Sequence, residues 1–244
     1  MSVLLNQIAR DGFTVIRDAF SIADIEQVAT DLSRALQADG LEATSVRSSK
    51  GAVYASRNVL DVWPRTRHVW KRAVLVDVLT GILGPEFGLV RALYFDKPPD
   101  RTWSLGWHKD LTIAVEDHSF ASERFSHRTF KAGVPHVQAP AELLEAMLTL
   151  RIHLDDVTDE NGPLQVIPGS HRSGKDALAN PPAPLAIYAH RGDVLAMRPL
   201  ISHSSGNSSL GTKRHRRILH LEFAASPDLP DGFQWHTFVA ARSK

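Results

Sequence analysis

Trp107-His108-Lys109-Asp110 carries the first chemistry that the chain offers. On extended backbone a histidine and a carboxylate two residues apart point to the same side, so His108 and Asp110 can grip one metal ion together. A further ligand must come from elsewhere, and His203, in Ile201-Ser202-His203-Ser204-Ser205-Gly206-Asn207, supplies it. A local His-x-Asp with a distant histidine is the spacing of a two-histidine, one-carboxylate site, which on iron leaves positions open for oxygen and an oxidisable cosubstrate. In a chain with 12 histidines the isolated His-x-Asp is a weak signal. The third component strengthens it: Arg214, Arg216 and Arg217 follow His203 and lead into a strand. A 2-oxo diacid needs a fixed cation at its far carboxylate, and the planar fork of an arginine binds carboxylate in two places. Strand alternation sets Arg216, Ile218, His220 and Glu222 on one face and Arg217, Leu219, Leu221 and Phe223 on the other, which by itself does not select among the three arginines.

The elements that must position these groups are read from pattern and punctuation. At 244 residues the chain is long enough for one substantial core, and a single domain over 1–244 is expected, with a helix-rich part over about 1–90 and a jelly-roll core over about 88–225. A net charge of +1 with both signs interspersed argues against a nucleic-acid partner, and no apolar run or leader pattern argues for a membrane. Cysteine is absent, which excludes disulfides and thiolate metal sites, and a cytoplasmic location is the default expectation. Helical spacing over Val3–Ala9 ends at Asp11-Gly12, and Phe13–Arg17 follows as a strand. Ser21 caps a helix whose apolar stripe runs from Ile22 to Leu36 and stops at Asp39-Gly40. The polar stretch 41–58 has no period and is assigned to a loop. Arg65–Leu83 is assigned to one helix ended by Gly84-Pro85, and Gly88–Phe95 to a strand. Trp103 and Trp107 are expected to pack against the site and exclude water. The long polar segment Thr112–Pro140 reads as a structureless insert, a lid over the pocket. A short helix at 141–146 precedes a strand over Met147–Asp155, which with Leu164–Ile167 suggests a hairpin. Further strands are Val194–Arg198 and Ile218–Phe223. Many short strands with turn signals between them favour a mainly β architecture with flanking helices, a jelly roll.

Several blocks make the sequence resemble the phytanoyl-CoA dioxygenase family of iron(II)- and 2-oxoglutarate-dependent oxygenases. They are Lys97-Pro-Pro-Asp100, Trp107-His-Lys-Asp110, Asn161-Gly-Pro-Leu-Gln-Val-Ile-Pro-Gly-Ser-His171, Gly192-Asp-Val-Leu195, and His203-Ser-Ser-Gly with the arginine-led strand after it. The Asn-Gly-Pro-Leu block running into Pro-Gly-Ser-His is the most specific. The resemblance implies a double-stranded β-helix of the cupin-like kind, with iron(II) held by His108, Asp110 and His203, and with 2-oxoglutarate and O2 as cosubstrates. It puts the cosubstrate arginine on Arg216, with Arg214 and Arg217 as alternatives, and sets Ser205, Arg151 and Leu93 beside the cosubstrate. Hydroxylation of a small molecule with release of succinate and CO2 is the implied chemistry, and the aspartate at position 110 argues against the halogenating relatives. Lys131, His136 and Gln138, in the segment before the central strands, are the candidates for contact with a polar or anionic substrate. Two competing readings are a cupin-like metal-binding or sensory protein without turnover and a zinc hydrolase using metal-bound water. Substrate identity and oligomeric state are not encoded in these patterns.

Overall fold

The computed structural model describes residues 1–38, 40 and 44–241. In chain order the elements are α1 (Ser2–Asp11), β1 (Phe13–Ile16), α2 (Ile22–Leu36), β2 (Ser45–Arg47), β3 (Val53–Ser56), α3 (Val59–Val62), α4 (Thr66–Val69), α5 (Ala73–Leu83), β4 (Gly88–Phe95) and β5 (Leu105–His108). They continue with β6 (Thr112–Ala114), β7 (Ser126–Lys131), β8 (Val134–Gln138), α6 (Ala141–Glu145), β9 (Met147–His153), β10 (Leu164–Val166), β11 (Leu185–Ile187), β12 (Val194–Met197), β13 (His203–Ser205), β14 (Ile218–Ala224) and β15 (Val239–Ala240).

The large sheet runs β1-β12-β9-β14-β4-β3-β2, with β15 paired to one end of β4. A smaller sheet, β11-β10-β13-β5, faces it, and β6-β8-β7 form a third. The central strands β9 and β14 are buried at every position, so both faces of the large sheet are covered. One face takes the helices: Leu148, Leu150, Ile152, Leu219, Leu221 and Phe223 pack with Ile8 of α1, Ile25 and Leu32 of α2, and Leu75 and Leu79 of α5. The other face meets the small sheet, where Phe13, Leu195 and Met197 pack against Leu164, Val166 and Ile201. This is the mainly β jelly roll with flanking helices that the strand pattern implies.

The N-terminal caps follow their signals. The Ser21 side chain accepts from the Asp24 N–H at 3.1 Å and starts α2, and α1 closes on Gly12 at φ 87°. The expected stop at Asp39 lies outside the described residues.

Four expectations require correction. Residues 41–43 of the assigned loop lie outside the described residues, but the rest of that stretch contains the β2–β3 hairpin, which extends the large sheet through Ala55 opposite Phe95 and Ser56 opposite Tyr94. Its strands have three and four residues, too few to display a period. The single helix over 65–83 is two, interrupted where Trp70 turns fully inward between Phe87 and Phe223, with ring centroids 5.7 and 5.1 Å away. Thr112–Pro140 is no structureless lid: it folds as β6, β7 and β8 over a core of Ile113, Val115, Phe125 and Val137. Lastly, β9 and β10 form no hairpin, because they belong to different sheets. The turn between them is a 3-10 helix over Asp159–Asn161, capped by Thr158, that carries the chain across the jelly roll.

Candidate metal centre and cavity

His108 and His203 face each other as direct partners across the antiparallel pair β5 and β13. Side chains at such positions are near neighbours, and the two ring centroids are 4.2 Å apart. Asp110 stands just beyond β5, where its N–H bonds to the Pro199 carbonyl at 2.9 Å. Its carboxylate oxygens lie 3.8 Å from His108 Nε2 and 3.7 Å from His203 Nε2. Candidate ligand atoms of all three residues lie within 4.8 Å of one another.

Each imidazole is fixed by its own strand. His108 Nδ1 donates to the Gly106 carbonyl at 2.8 Å, and His203 Nδ1 to the Ile201 carbonyl at 3.0 Å. Each ring therefore carries its proton on Nδ1 and turns the Nε2 lone pair toward Asp110, the arrangement that a metal-ligating histidine needs. Burial pushes His203 down to about 4, so the ring is neutral at neutral pH. For Asp110, burial works upward, but His203, His220, His108 and Arg91 outweigh it and bring the carboxyl to about 2. Asp110 Oδ2 is buried without a hydrogen-bond partner among the described residues. Two inward lone pairs and an unsatisfied, ionised carboxylate fit a divalent first-row cation, and the absence of thiolate fits iron rather than structural zinc.

The triad opens into a cavity lined by Leu93, Phe95, Trp103, Arg151, Ser205 and Arg216, together with Arg91, His220, Glu222 and Leu164. Of the three candidate arginines, only Arg216 lines it. It is 3% exposed, donates from Nη1 to the Gly162 carbonyl at 2.6 Å, and has its Nε buried without a partner. Burial, followed by the nearby Arg151, lowers it to about 9. Arg217 points to the opposite face of the sheet and clasps Asp155 at 2.9 and 2.6 Å, while Arg214 is exposed and pairs with Glu160 at 3.2 Å. The alternation along β14 thus places His220 and Glu222 in the cavity beside Arg216, as strand geometry requires.

Sequence reasoning gave no role to several groups that brace or line this cavity. Lys97 is fully buried, and its Nζ donates to Ser205 Oγ at 3.2 Å and to the carbonyls of Gly162 and Gly206. Burial, then Arg216 and Arg151, pull it down to about 7. The signal was available in Lys97-Pro-Pro-Asp100, since a lysine ahead of two prolines, in a block that carries the family resemblance, invites a role. Gly162 is tightly placed: at φ 65°, an added Cβ would meet the Gly206 carbonyl at 2.5 Å. A polar chain completes the wall, with Arg151 donating to His220 Nδ1 at 3.2 Å, His220 Nε2 donating to Glu222 at 3.1 Å, and Arg91 bound to Glu222 at 2.8 and 2.5 Å.

The remaining site candidates fall elsewhere. Lys131, His136 and Gln138 sit on β7 and β8, outside the immediate lining of the cavity, although Lys131 reaches back to Thr112 Oγ1 at 2.9 Å, two residues beyond Asp110. Trp103 lines it, with its ring 4.8 Å from Lys97 Nζ, but Trp107 is 49% exposed on the outer side of β5. Because His108 turns inward, its strand neighbour must turn outward.

A jelly roll that presents two histidines and a carboxylate from adjoining strand ends, above a cavity with a buried arginine, defines the class of cupin-like proteins with a mononuclear metal site. Within that class, the chain belongs to the phytanoyl-CoA dioxygenase family of iron(II)- and 2-oxoglutarate-dependent oxygenases, whose model matches residues 8–215. It is similar to the ectoine dioxygenase of Sphingopyxis alaskensis, 29% identical over 174 residues, which cover 67% of this chain and 47% of that protein. The chain therefore spans about half the length of this curated relative. The crystal structure of EctD from S. alaskensis with 2-oxoglutarate and 5-hydroxyectoine superimposes with a TM-score of 0.68 at 20% identity, covering 92% of this chain and 76% of that one. The non-heme alpha-ketoglutarate-dependent epimerase SnoN from nogalamycin biosynthesis gives 0.61 at 18% identity, covering 91% and 82%. At such identities these structures establish the shared fold. Among the described residues, no helix is long and apolar enough to cross a membrane.

Proposed function

We propose that the protein is an iron(II)- and 2-oxoglutarate-dependent dioxygenase that hydroxylates a small-molecule substrate. The observation that carries this reading is Arg216, a buried guanidinium with an unpartnered Nε, opening into the same cavity as His108, Asp110 and His203. An arginine held there without a carboxylate is costly unless a ligand brings one. His108, Asp110 and His203 would hold the iron. Arg216 and Ser205 would hold the distal carboxylate of 2-oxoglutarate, with Arg151 and Leu93 beside it. When bound, iron and 2-oxoglutarate supply the oxidative decarboxylation that gives succinate and CO2 and oxidises a substrate C–H bond.

The chain's own tasks are orientation and exclusion of water. Lys97 fixes the Ser205 hydroxyl and the Gly162 and Gly206 carbonyls around the cosubstrate end. Phe95, Trp103 and Leu164 give that end apolar walls, which strengthen every charge contact within it. His220, bonded to Arg151 on one side and Glu222 on the other, holds that wall of the cavity in place. Anaerobic titration of the iron-loaded protein with 2-oxoglutarate tests the proposal: a weak visible charge-transfer band is expected, and its absence refutes the dioxygenase reading. The relatives include an ectoine dioxygenase and an epimerase, so the reaction's outcome here rests on the substrate and is read by following succinate release against a compound library.

A further inference from the structure

The cavity has a second end, and its surroundings are cationic. Along β14 the cavity face runs from Arg216 through His220 to Glu222, and six residues of extended strand span about 20 Å. Arg91 closes the far end, its charge matched by the two bonds to Glu222. Two more cations approach this end without such a match. Arg57 follows Ser56, the last residue of β3 paired to β4, and the alternation that sets Ala55 opposite Phe95 places Arg57 on the cavity face, diagonal to Arg91. Among the described residues its guanidinium has neither a hydrogen bond nor an ion pair. Lys131, at the end of β7, spends one donor on Thr112 Oγ1 at 2.9 Å, and Thr112 lies two residues beyond Asp110.

The fold holds these two cations together. Asn58 Nδ2 donates to the Ala132 carbonyl at 3.2 Å, so the residue after Arg57 is tied to the residue after Lys131. Both clip residues have left-handed backbone, φ 56° at Asn58 and 50° at Ala132. Ala132 and Gly133 make the tight β7–β8 turn with both φ positive, where alanine in place of asparagine or glycine is strained. Such strain persists where the surroundings impose it. The charges sense one another: burial and then Arg91 lower Arg57, with Glu222 opposing, while burial, Arg91 and Arg57 lower Lys131 against Glu222 and Asp110, neither of which comes within ion-pair distance of the two cations. His136, brought to about 4 first by burial, is neutral beside them and offers no compensating charge.

We propose that Arg57 and Lys131 together receive an anionic group of the substrate, a carboxylate or a phosphate ester, so that an acidic small molecule lies between this pair and the metal triad. The assignment rests on the dioxygenase reading, in which the distal carboxylate of 2-oxoglutarate occupies the opposite end at Arg216. The substrate is thereby an acid, and a neutral analogue of the same shape binds more weakly.

Anaerobic calorimetry on the iron-loaded protein with excess 2-oxoglutarate tests this with matched probes: carboxylic acids against their primary amides, and phosphate monoesters against the parent alcohols. At least one anion is expected to bind about 10-fold or more tightly than its neutral partner. Preference in the acid arm identifies a carboxylate, and preference in the ester arm a phosphate. Arg57→Gln and Lys131→Gln should each remove most of that preference, and Arg57→Lys should restore part of it; thermal melts confirm that each variant folds. A panel without any anion preference overturns the proposal, as does a preference that survives both glutamine variants. An Arg57→Gln variant that loses the 2-oxoglutarate band instead of the probe preference also overturns it. Failure of the dioxygenase reading has a separate signature, a wild-type protein that shows no band while its anion preference persists.

Discussion

On the outer face of β14, Arg217 gives its guanidinium to Asp155, and in the cavity Arg91 gives its own to Glu222, so each buried or half-buried cation meets a carboxylate in two places. Arg216, the immediate neighbour of Arg217, meets a single carbonyl, and Lys97 and Arg151 beside it also have no carboxylate within ion-pair distance among the described residues. One region is electrostatically closed and contributes to the fold. The other is open: no carboxylate among the described residues answers its charges, which is the match that the proposed acidic cosubstrate would supply. Paired arginines on a strand are thus structural, whereas an arginine buried beside like charges marks a ligand site.

The sharpest way to break this contrast is to remove the metal end. His203→Ala should weaken iron binding by more than about 100-fold, beyond what losing an outer hydrogen-bond partner costs, and iron titration checks it. If Arg216 is open for a ligand, Arg216→Ala should raise the 2-oxoglutarate requirement by roughly 30- to 150-fold, the equivalent of about 2–3 kcal/mol, with far less effect on iron. The charge-transfer titration reads both numbers. Arg217→Met should do the converse, leaving 2-oxoglutarate affinity nearly unchanged while lowering stability by about 1–2 kcal/mol in a thermal or denaturant melt, because Asp155 stays half-buried and loses its partner. A 2-oxoglutarate defect in Arg217→Met would erase the distinction between the two faces.

The smallest effect concerns acid. Burial would raise the Asp155 carboxyl, but the Arg217 side chain and backbone N–H hold it below its ordinary value. A lowered folded value stabilises the protein above the unfolded value near ~4 and loses that contribution as pH falls through the lowered one. In Arg217→Met the carboxyl rises, so the acid unfolding limb should begin at higher pH, by less than about one unit, while Arg216→Met should leave that limb in place.

The sequence made the metal end legible because its logic is local. His108 ends β5 and Asp110, two residues on, stands just beyond it and turns toward the same side, and His203 was recognisable from the blocks around it. The face of β14 was equally readable, since period 2 decides which neighbours see the cavity; only the tertiary partner, Asp155 for Arg217 and nothing acidic for Arg216, decides which arginine is open. What was lost has physical causes as well. Every residue of β7 before Lys131 is exposed, so its strand lacks the apolar alternation that would announce it. The β2–β3 hairpin is too short for a period, and with it went Arg57, which no motif contains. The turn at Asp159–Gly162 looks local but joins two sheets, and no pattern within it records that its carbonyl serves Arg216 and Lys97.

That carbonyl has a consequence for motion. Gly162 lies where the chain leaves one sheet for the other, and its oxygen gathers two cations that repel each other. When an acid neutralises them, the crossover gains stability by mass action, so opening fluctuations there become rarer. Amide hydrogen exchange at Leu164 and Gly206 should therefore slow on addition of 2-oxoglutarate, reporting occupancy from the backbone without turnover or colour.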